Sequence, residues 1–456
     1  MGVENVMKKI MRKNKTNIHN ISRGYDILLK GEAAKRISDY ECQNYVISPD
    51  DFRWMTPQLL VDEGDTVQVG TPLFADSSNA KIVVVAPVGG EIKGIVRGEK
   101  RRIETIVIAG NGQKEAEIAL PENFDRENVK DLLLRSGLWT CIRQRPFSVI
   151  ANPDDTPKAI FVSCFDTAPL APDLNFILKD KKEEFHKGTE LLKLLAPVTF
   201  CMRQNADNSI FEGIEGVENH YFSGPHPTGN VGTQIHKINP INKGEIVWFV
   251  NPQDVVTIGK LALYGKLSFE KNVALTGPCV KEPHYFKMTY GADISGLISN
   301  SLDTTPSVRI ISGNVLTGKH LADYPSVRFY DSQITVIAEG GEREFIGWLL
   351  PGLKKWSFSH TFLAFLTKKH KYNFDTTLHG EARNFVMTDI YEKVFPFDII
   401  PLELLKACLI KDVEKMEDLG IYEVDDEDFA LCEVVCPAKT ECQKIIREGL
   451  FTVKNS

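Results

Sequence analysis

The chain has 456 residues, 43% hydrophobic and 25% charged, and its 54 Lys and Arg against 61 Asp and Glu leave a net charge of −7. That length holds about three domains of roughly 150 residues, and the negative balance argues against nucleic-acid binding. No stretch approaches the roughly 18 unbroken apolar residues of a membrane span.

Taken from the N-terminus, Met1 to Asn17 carries cations without an apolar core behind them and reads as a basic leader, not a secretory signal. With no export signal, the nine cysteines point to reduced thiols in a cytosolic compartment. From Tyr45 to Ile108, short β-branched runs alternate with turns at Gly64-Asp65, Gly70-Thr71 and Gly89-Gly90, the pattern of a small all-β unit. From Glu122 the pattern becomes alternating β and α. Val129, Leu132 and Leu133 predict a helix over 125–136 ending at Gly137. Ala159–Phe165 is the continuous apolar run of a doubly covered parallel strand. A helix over 181–195, a strand over 198–202, a helix capped by Asp254 and a strand from Asn272 follow, so an α/β layer with a parallel sheet is expected. Val308–Ile311 and Gln333–Ile337 predict further strands. The region beyond Arg343 turns aromatic and then helical.

Phe345–Leu366 (FIGWLLPGLKKWSFSHTFLAFL) is too interrupted to cross a bilayer. It reads either as a core segment turning at Pro351-Gly352 or as an apolar surface for a membrane partner or isoprenoid ligand. Asp412–Glu433 holds ten acids against one lysine; it reads first as a solvated face, with a docking surface for a basic partner as the alternative.

Tests for cofactor cradles are negative for G-x-G-x-x-G, G-x-x-x-x-G-K-[ST], H-E-x-x-H and G-x-S-x-G. The glycine cluster Gly224–Gly232 predicts a tight connection requiring positive φ, or backbone N–H groups offered to an anion at a helix N-terminus. His220, His226 and His236 lack metal-ligand spacing. Cys432-x₃-Cys436-Pro437 matches the tail of a four-iron ferredoxin pattern, but Asp426 and Phe429 stand where its first two cysteines belong. The pair reads as a relic of a cluster or as chance, and no metal site is expected.

Several colinear motifs then carry a resemblance: Gly24–Gly31 (GYDILLKG), Phe222–Gly229 (FSGPHPTG), Gly232–His236 (GTQIH), Ala274–Lys281 (ALTGPCVK), Arg309–Gly318, Glu342–Leu353 and Leu431–Pro437. From about Arg23 onward the chain resembles the NqrA family, a component of the sodium-translocating NADH:quinone reductases. More distantly it is similar to the flavin-binding subunit of complex I and to the C subunit of Rnf complexes. The resemblance implies an α+β multidomain protein. Its segments are a leader and first strand (1–44), a biotinyl/lipoyl-like barrel-sandwich (45–118), a Rossmann-like α/β domain (119–270), a β-grasp (SLBB-like) domain (271–340) and a mostly helical acidic C-terminal domain (341–456). Lys81 lies one residue nearer the Ala-Pro motif than a carrier lysine does, and Ala80 takes that place, which implies a scaffold, not a swinging arm. The family further implies a peripheral, cytoplasm-facing component, itself non-catalytic, that supports quinone reduction coupled to sodium export. Its partners are the other subunits of the complex and quinone, and NADH, flavin and iron–sulfur chemistry sits in those other subunits. The alternative is a flavin- or cluster-carrying electron-transfer component of an Rnf-like complex. A quinone offers two carbonyl acceptors and an apolar tail, so donors beside aromatics are needed. Phe222, His226, His236, Trp348, Trp356 and Phe358 are the candidates.

Overall fold

The computed structural model describes residues 17–302, 307–322, 325–340, 355–366, 371–378, 383–385 and 389–456. Trp348, the Pro351-Gly352 turn and the Glu342–Leu353 motif lie outside the described residues.

The turn-punctuated runs of the first unit fold into two facing layers. Asn44–Ile47, Ile103–Gly110, Gly90–Arg97 and Thr66–Val67 form a four-stranded antiparallel sheet, and Pro57–Leu59, Pro72–Asp76 and Asn79–Val85 a three-stranded one. Alternation within a strand decides which side chains enter the sandwich: Ile106 and Ile108 are buried, two residues apart. Lys81 stands near the start of its strand with Nζ 3.4 Å from Asp154 of the next unit.

The α/β unit is a seven-stranded sheet in the order Ile18–Asn20, Glu218–Ser223, Val198–Arg203, Ile160–Ser163, Val247–Phe249, Arg143–Arg145, Val149–Ile150. Its first five strands run parallel, and the last two pair antiparallel. Ile160, Phe161 and Val162 are all buried because both faces of this central strand are covered. Helix Arg126–Arg135 begins where Asp125 accepts the Asn128 N–H, and it buries Val129, Leu132 and Leu133. Helix Lys182–Leu195 also falls where the periodicity placed it. One start differs from expectation. Asn251, not Asp254, occupies the cap position of helix Pro252–Tyr264, with proline at the first helical residue. Asp254 lies inside the first turn and is buried.

The next unit is built on a six-stranded sheet: Ala34–Asp39, His284–Thr289, Glu270–Thr276, Gln333–Ala338, Val308–Ser312 and Lys319–His320. Its first strand comes from the N-terminal segment, as does the first strand of the α/β sheet, so residues 18–39 stitch two units together. A buried hub joins the barrel to this sheet. Asp51 accepts from Arg328 Nε, the Phe329 N–H and the Tyr290 hydroxyl at 3.0, 3.0 and 3.1 Å.

Helices Pro401–Ile410, Val413–Asp418, Ala430–Val435 and Cys442–Lys454 enclose a separate core that includes Phe395, Phe397, Met416, Phe429, Ile446 and Leu450. Cys432 and Cys436 are buried in it, and Cys436 Sγ lies 2.9 Å from the Tyr391 hydroxyl. The two positions lacking thiolates have other work: Phe429 packs 4.7 Å from Phe395, and Asp426 pairs with Arg53 and Arg447.

The expectation of a solvated acidic face is corrected here. Glu414 and Asp418 do face solvent, but Asp425 and Asp428 are buried. Arg53 Nη1 donates to Asp425 and Asp426 at 2.6 and 2.8 Å, and Arg145, 1% exposed, donates to Glu427 and Asp428. The physical reason is desolvation: a guanidinium taken out of water needs carboxylates around it. The acidic turn is thus a docking surface for arginines of the same chain.

Candidate aromatic ligand site

Two of the sequence motifs interlock. Gly24 sits at φ +144°, where a Cβ would come within 2.1 Å of the His226 carbonyl oxygen. The Tyr25 N–H donates to that same oxygen at 2.8 Å, and the His226 N–H donates to Asp26 Oδ1 at 2.8 Å. This double clamp fixes Tyr25 and Asp26 at the edge of the α/β unit.

The His226 imidazole turns inward. It is buried, and burial brings its pKa down to about 4. Its Nδ1 is 3.1 Å from the Thr167 hydroxyl, which already accepts the Gly229 N–H at 2.9 Å. The hydroxyl can give its proton to Nδ1 or accept one from it, according to the ring tautomer. His226 fastens the loop and is not among the residues lining the aromatic cavity beside Tyr25.

Phe222 is a core residue, buried and stacked 4.6 Å from His19. His236 lies on helix Val231–Ile238 with both ring nitrogens engaged, Nδ1 at 2.7 Å from Glu423 and Nε2 accepting the Asp398 N–H at 3.0 Å. It ties this helix to the C-terminal unit. At the other end of the same helix, a Cβ on Gly232 would stand 2.7 Å from both carboxyl oxygens of Asp428. The space in front of this helix start is thus filled by a carboxyl group of the same chain.

Trp356 and Phe358 do come together, and around Tyr25. Trp356 Nε1–H donates to the Tyr25 hydroxyl at 3.1 Å, and the Phe358 ring lies 5.4 Å from Tyr25. Phe374 packs 6.0 Å from Trp356 and stacks 5.5 Å from Tyr372. Beside these rings is a cavity of 160 Å³, lined on its apolar side by Tyr25, Leu28, Trp356, Phe362 and Tyr372. Asp26, Lys355, Ser357 and His360 supply its polar side. An apolar cavity of about 150 Å³ accommodates one benzene-sized ring. Sequence reasoning missed Tyr25 and Tyr372 as site residues. Tyr25 stood within the GYDILLKG motif and was visible there; Tyr372 carried no signal of its own.

Among the described residues no group of three or more His, Cys, Asp or Glu is arranged to hold a metal ion. None of their helices is long and apolar enough to cross a membrane.

Three segments match family models: residues 19–111 the NqrA N-terminal barrel-sandwich hybrid domain, 124–267 the NqrA second alpha/beta domain, and 272–323 the NQRA C-terminal domain. The corresponding component of the Na(+)-translocating NADH-quinone reductase from Rhodopirellula baltica is 35% identical over 96% of this chain and 98% of its own length. Its counterparts from Haemophilus influenzae strain Rd and Actinobacillus pleuropneumoniae serotype 3 are each 38% identical, over 95% of this chain and 99% of theirs. The chain belongs to the NqrA family. Full-length similarity to NqrA proteins favours the NqrA reading over the Rnf-like alternative. The Lys355–Tyr372 half of the aromatic cavity lies beyond the last matched NqrA segment, although the NqrA relatives align over nearly the whole chain. Among solved structures, an air-oxidised NAD+-reducing hydrogenase covers 41% of each chain at 13% identity with a TM-score of 0.32, too slight a likeness to argue from.

Proposed function

We propose that this chain acts as the NqrA component of a Na(+)-translocating NADH-quinone reductase and holds the quinone head group in the cavity between Tyr25 and Trp356. The observation that carries the reading is the ring cluster itself: a cavity of single-ring size walled by Tyr25, Trp356 and Tyr372. The polar groups suit a quinone. Having accepted the Trp356 N–H, the Tyr25 hydroxyl keeps its own proton to donate toward a carbonyl, and the Ser357 hydroxyl also lines the cavity. The isoprenoid tail would leave past Leu28 and Phe362.

In this reading NADH, flavin and iron–sulfur centres belong to other subunits. Two features support that division: the cluster positions are taken by Asp426 and Phe429, and the helix N-terminus at Gly232 faces Asp428. The chain then docks, peripherally and on the cytoplasmic side, against the membrane subunits of the complex.

Calorimetric titration of the purified chain with a short-chain ubiquinone tests the reading. Saturable heat, with affinity at least tenfold weaker in Trp356→Ala, is the expected result. A folded wild-type chain giving no saturable heat would leave a purely structural adaptor, and a stoichiometric flavin or cluster absorbance would overturn the division of cofactors.

A further inference from the structure

The stretch of sequence that supplies Lys355, Trp356, Phe362 and Tyr372 to the cavity differs in composition from the rest of this acidic protein. Between Glu344 and Asp375 lie 30 consecutive residues without one acid, the longest such interval in a chain of net charge −7. The interval contains five lysines, two histidines, two tryptophans, five phenylalanines and five leucines. Cations mixed with Trp, Phe and Leu are the composition of segments that lie in the interface of an anionic bilayer.

The described part of this interval presents its apolar groups outward at the cavity mouth. Leu363–Leu366 is one turn of 3₁₀ helix, in which residues three apart eclipse, so Leu363 and Leu366 stand on the same face. They are 42% and 64% exposed, while Phe362 and Ala364 beside them line the cavity. Leu28, 41% exposed, stands on the cavity wall. Lys355 lines the cavity too, and the half-exposed Lys371, 3.0 Å from Glu32, adjoins its Tyr372 wall. A second exposed apolar group, Leu409 and Ile410, stands in mixed charge, with Lys411 next to it and Asp412 and Glu414 just beyond. The long acid-free interval therefore favours the segment at the cavity over the C-terminal helices as the face suited to anionic headgroups, Asp26 on the cavity wall and Glu32 beside Lys371 being the acids near it.

We infer that the rim formed by Leu28, Leu363, Leu366 and Lys355 rests on the anionic phospholipid surface, with the two leucines of the 3₁₀ turn entering the headgroup layer. The cavity then opens into the acyl region, and an isoprenoid tail reaches it without crossing water. This deepens the quinone reading, resting on it for the ligand, while the lipid contact is measured without quinone.

The experiment is sedimentation of the full-length chain with quinone-free vesicles. Phosphatidylcholine vesicles are compared with mixed phosphatidylcholine–phosphatidylglycerol vesicles, for wild type and for Leu363→Glu with Leu366→Glu. Wild type is expected to partition at least tenfold more strongly onto the anionic vesicles. The double variant should lose that preference with an unchanged thermal midpoint, since both leucines are exposed. Equal binding to the two vesicle types overturns the proposal, as does undiminished binding by the double variant. So does attachment only to membranes carrying the other subunits, which would make the rim a protein-docking face. A chain that binds anionic vesicles but gives no quinone heat keeps the lipid face and discards the quinone site, so the two failures are distinguishable.

Discussion

His226 shows how far a residue type misleads when burial is unknown. A histidine in a loop beside aromatics reads as a quinone donor, yet the Gly24 and Tyr25 contacts pull its backbone in and the imidazole follows, out of reach of the cavity. Its folded pKa of about 4 lies below the ordinary 6.5. The unfolded chain therefore takes up a proton first as pH falls, and stability is lost between about pH 6.5 and 4. At 1.36 kcal/mol per unit this loss is on the order of 3 kcal/mol. Urea unfolding as a function of pH should show it, and His226→Gln should lack that part of the slope. A His226 resonance titrating near 6.5 contradicts the assignment. Gly24→Ala places a Cβ against the His226 carbonyl at positive φ. It should cost on the order of 1–3 kcal/mol and loosen Tyr25, which chemical denaturation with Trp356 fluorescence would register.

At the scale of elements, the turn Asp425–Asp428 is the decisive join. Its acids were plain in the sequence, but Arg145 and Asp428 are 283 residues apart, and no local pattern marks which arginine is buried. Opposing the effect of burial, Arg53 and Arg145 hold the Asp425 carboxyl well below the usual range. Asp428 goes the other way. Burial foremost, with Glu427 and Asp425 beside it, outweighs Arg145 and raises its pKa to about 8. The folded state thus keeps a proton that the unfolded chain gives up. The contribution of Asp428 is present at low pH and is lost as pH rises from the ordinary carboxylate range through about 8. Asp428→Asn, uncharged and similar in shape, should flatten that decline in thermal melts between about pH 5 and 8. Arg145→Ala strands buried carboxylates and should cost about 3–5 kcal/mol, with hydrogen exchange quickening first in helices Ala430–Val435 and Cys442–Lys454. Exchange rates unchanged in those helices would show that the seam does not hold the C-terminal unit. The helices of the α/β layer were legible because propensity, caps and periodicity agree there, as at Asp125 and Gly137. The start at Asn251 was not, because Asn and Asp both serve as caps and Asp254 lies within the same turn.

For the whole molecule, the order of barrel, α/β layer, second β unit and helical end follows from changes in hydrophobic period along the chain. What no period discloses is that residues 18–39 supply strands to two different sheets, or that Asp51 locks the barrel to the six-stranded sheet. Those joins depend on partners hundreds of residues away. The same holds for the aromatic cavity, where Tyr25 and Leu28 meet Trp356, Phe362 and Tyr372 only through the fold. Its rings were recognisable as a composition and not as a place. The most direct test of quinone binding there is photo-crosslinking of the assembled reductase with an azidoquinone, followed by peptide mapping of every subunit. If quinone binds in the cavity, label is expected on this chain at Tyr25–Leu28 or Lys355–Phe362, competed by unlabelled quinone. Label confined to the other subunits, with this chain clean, would contradict it.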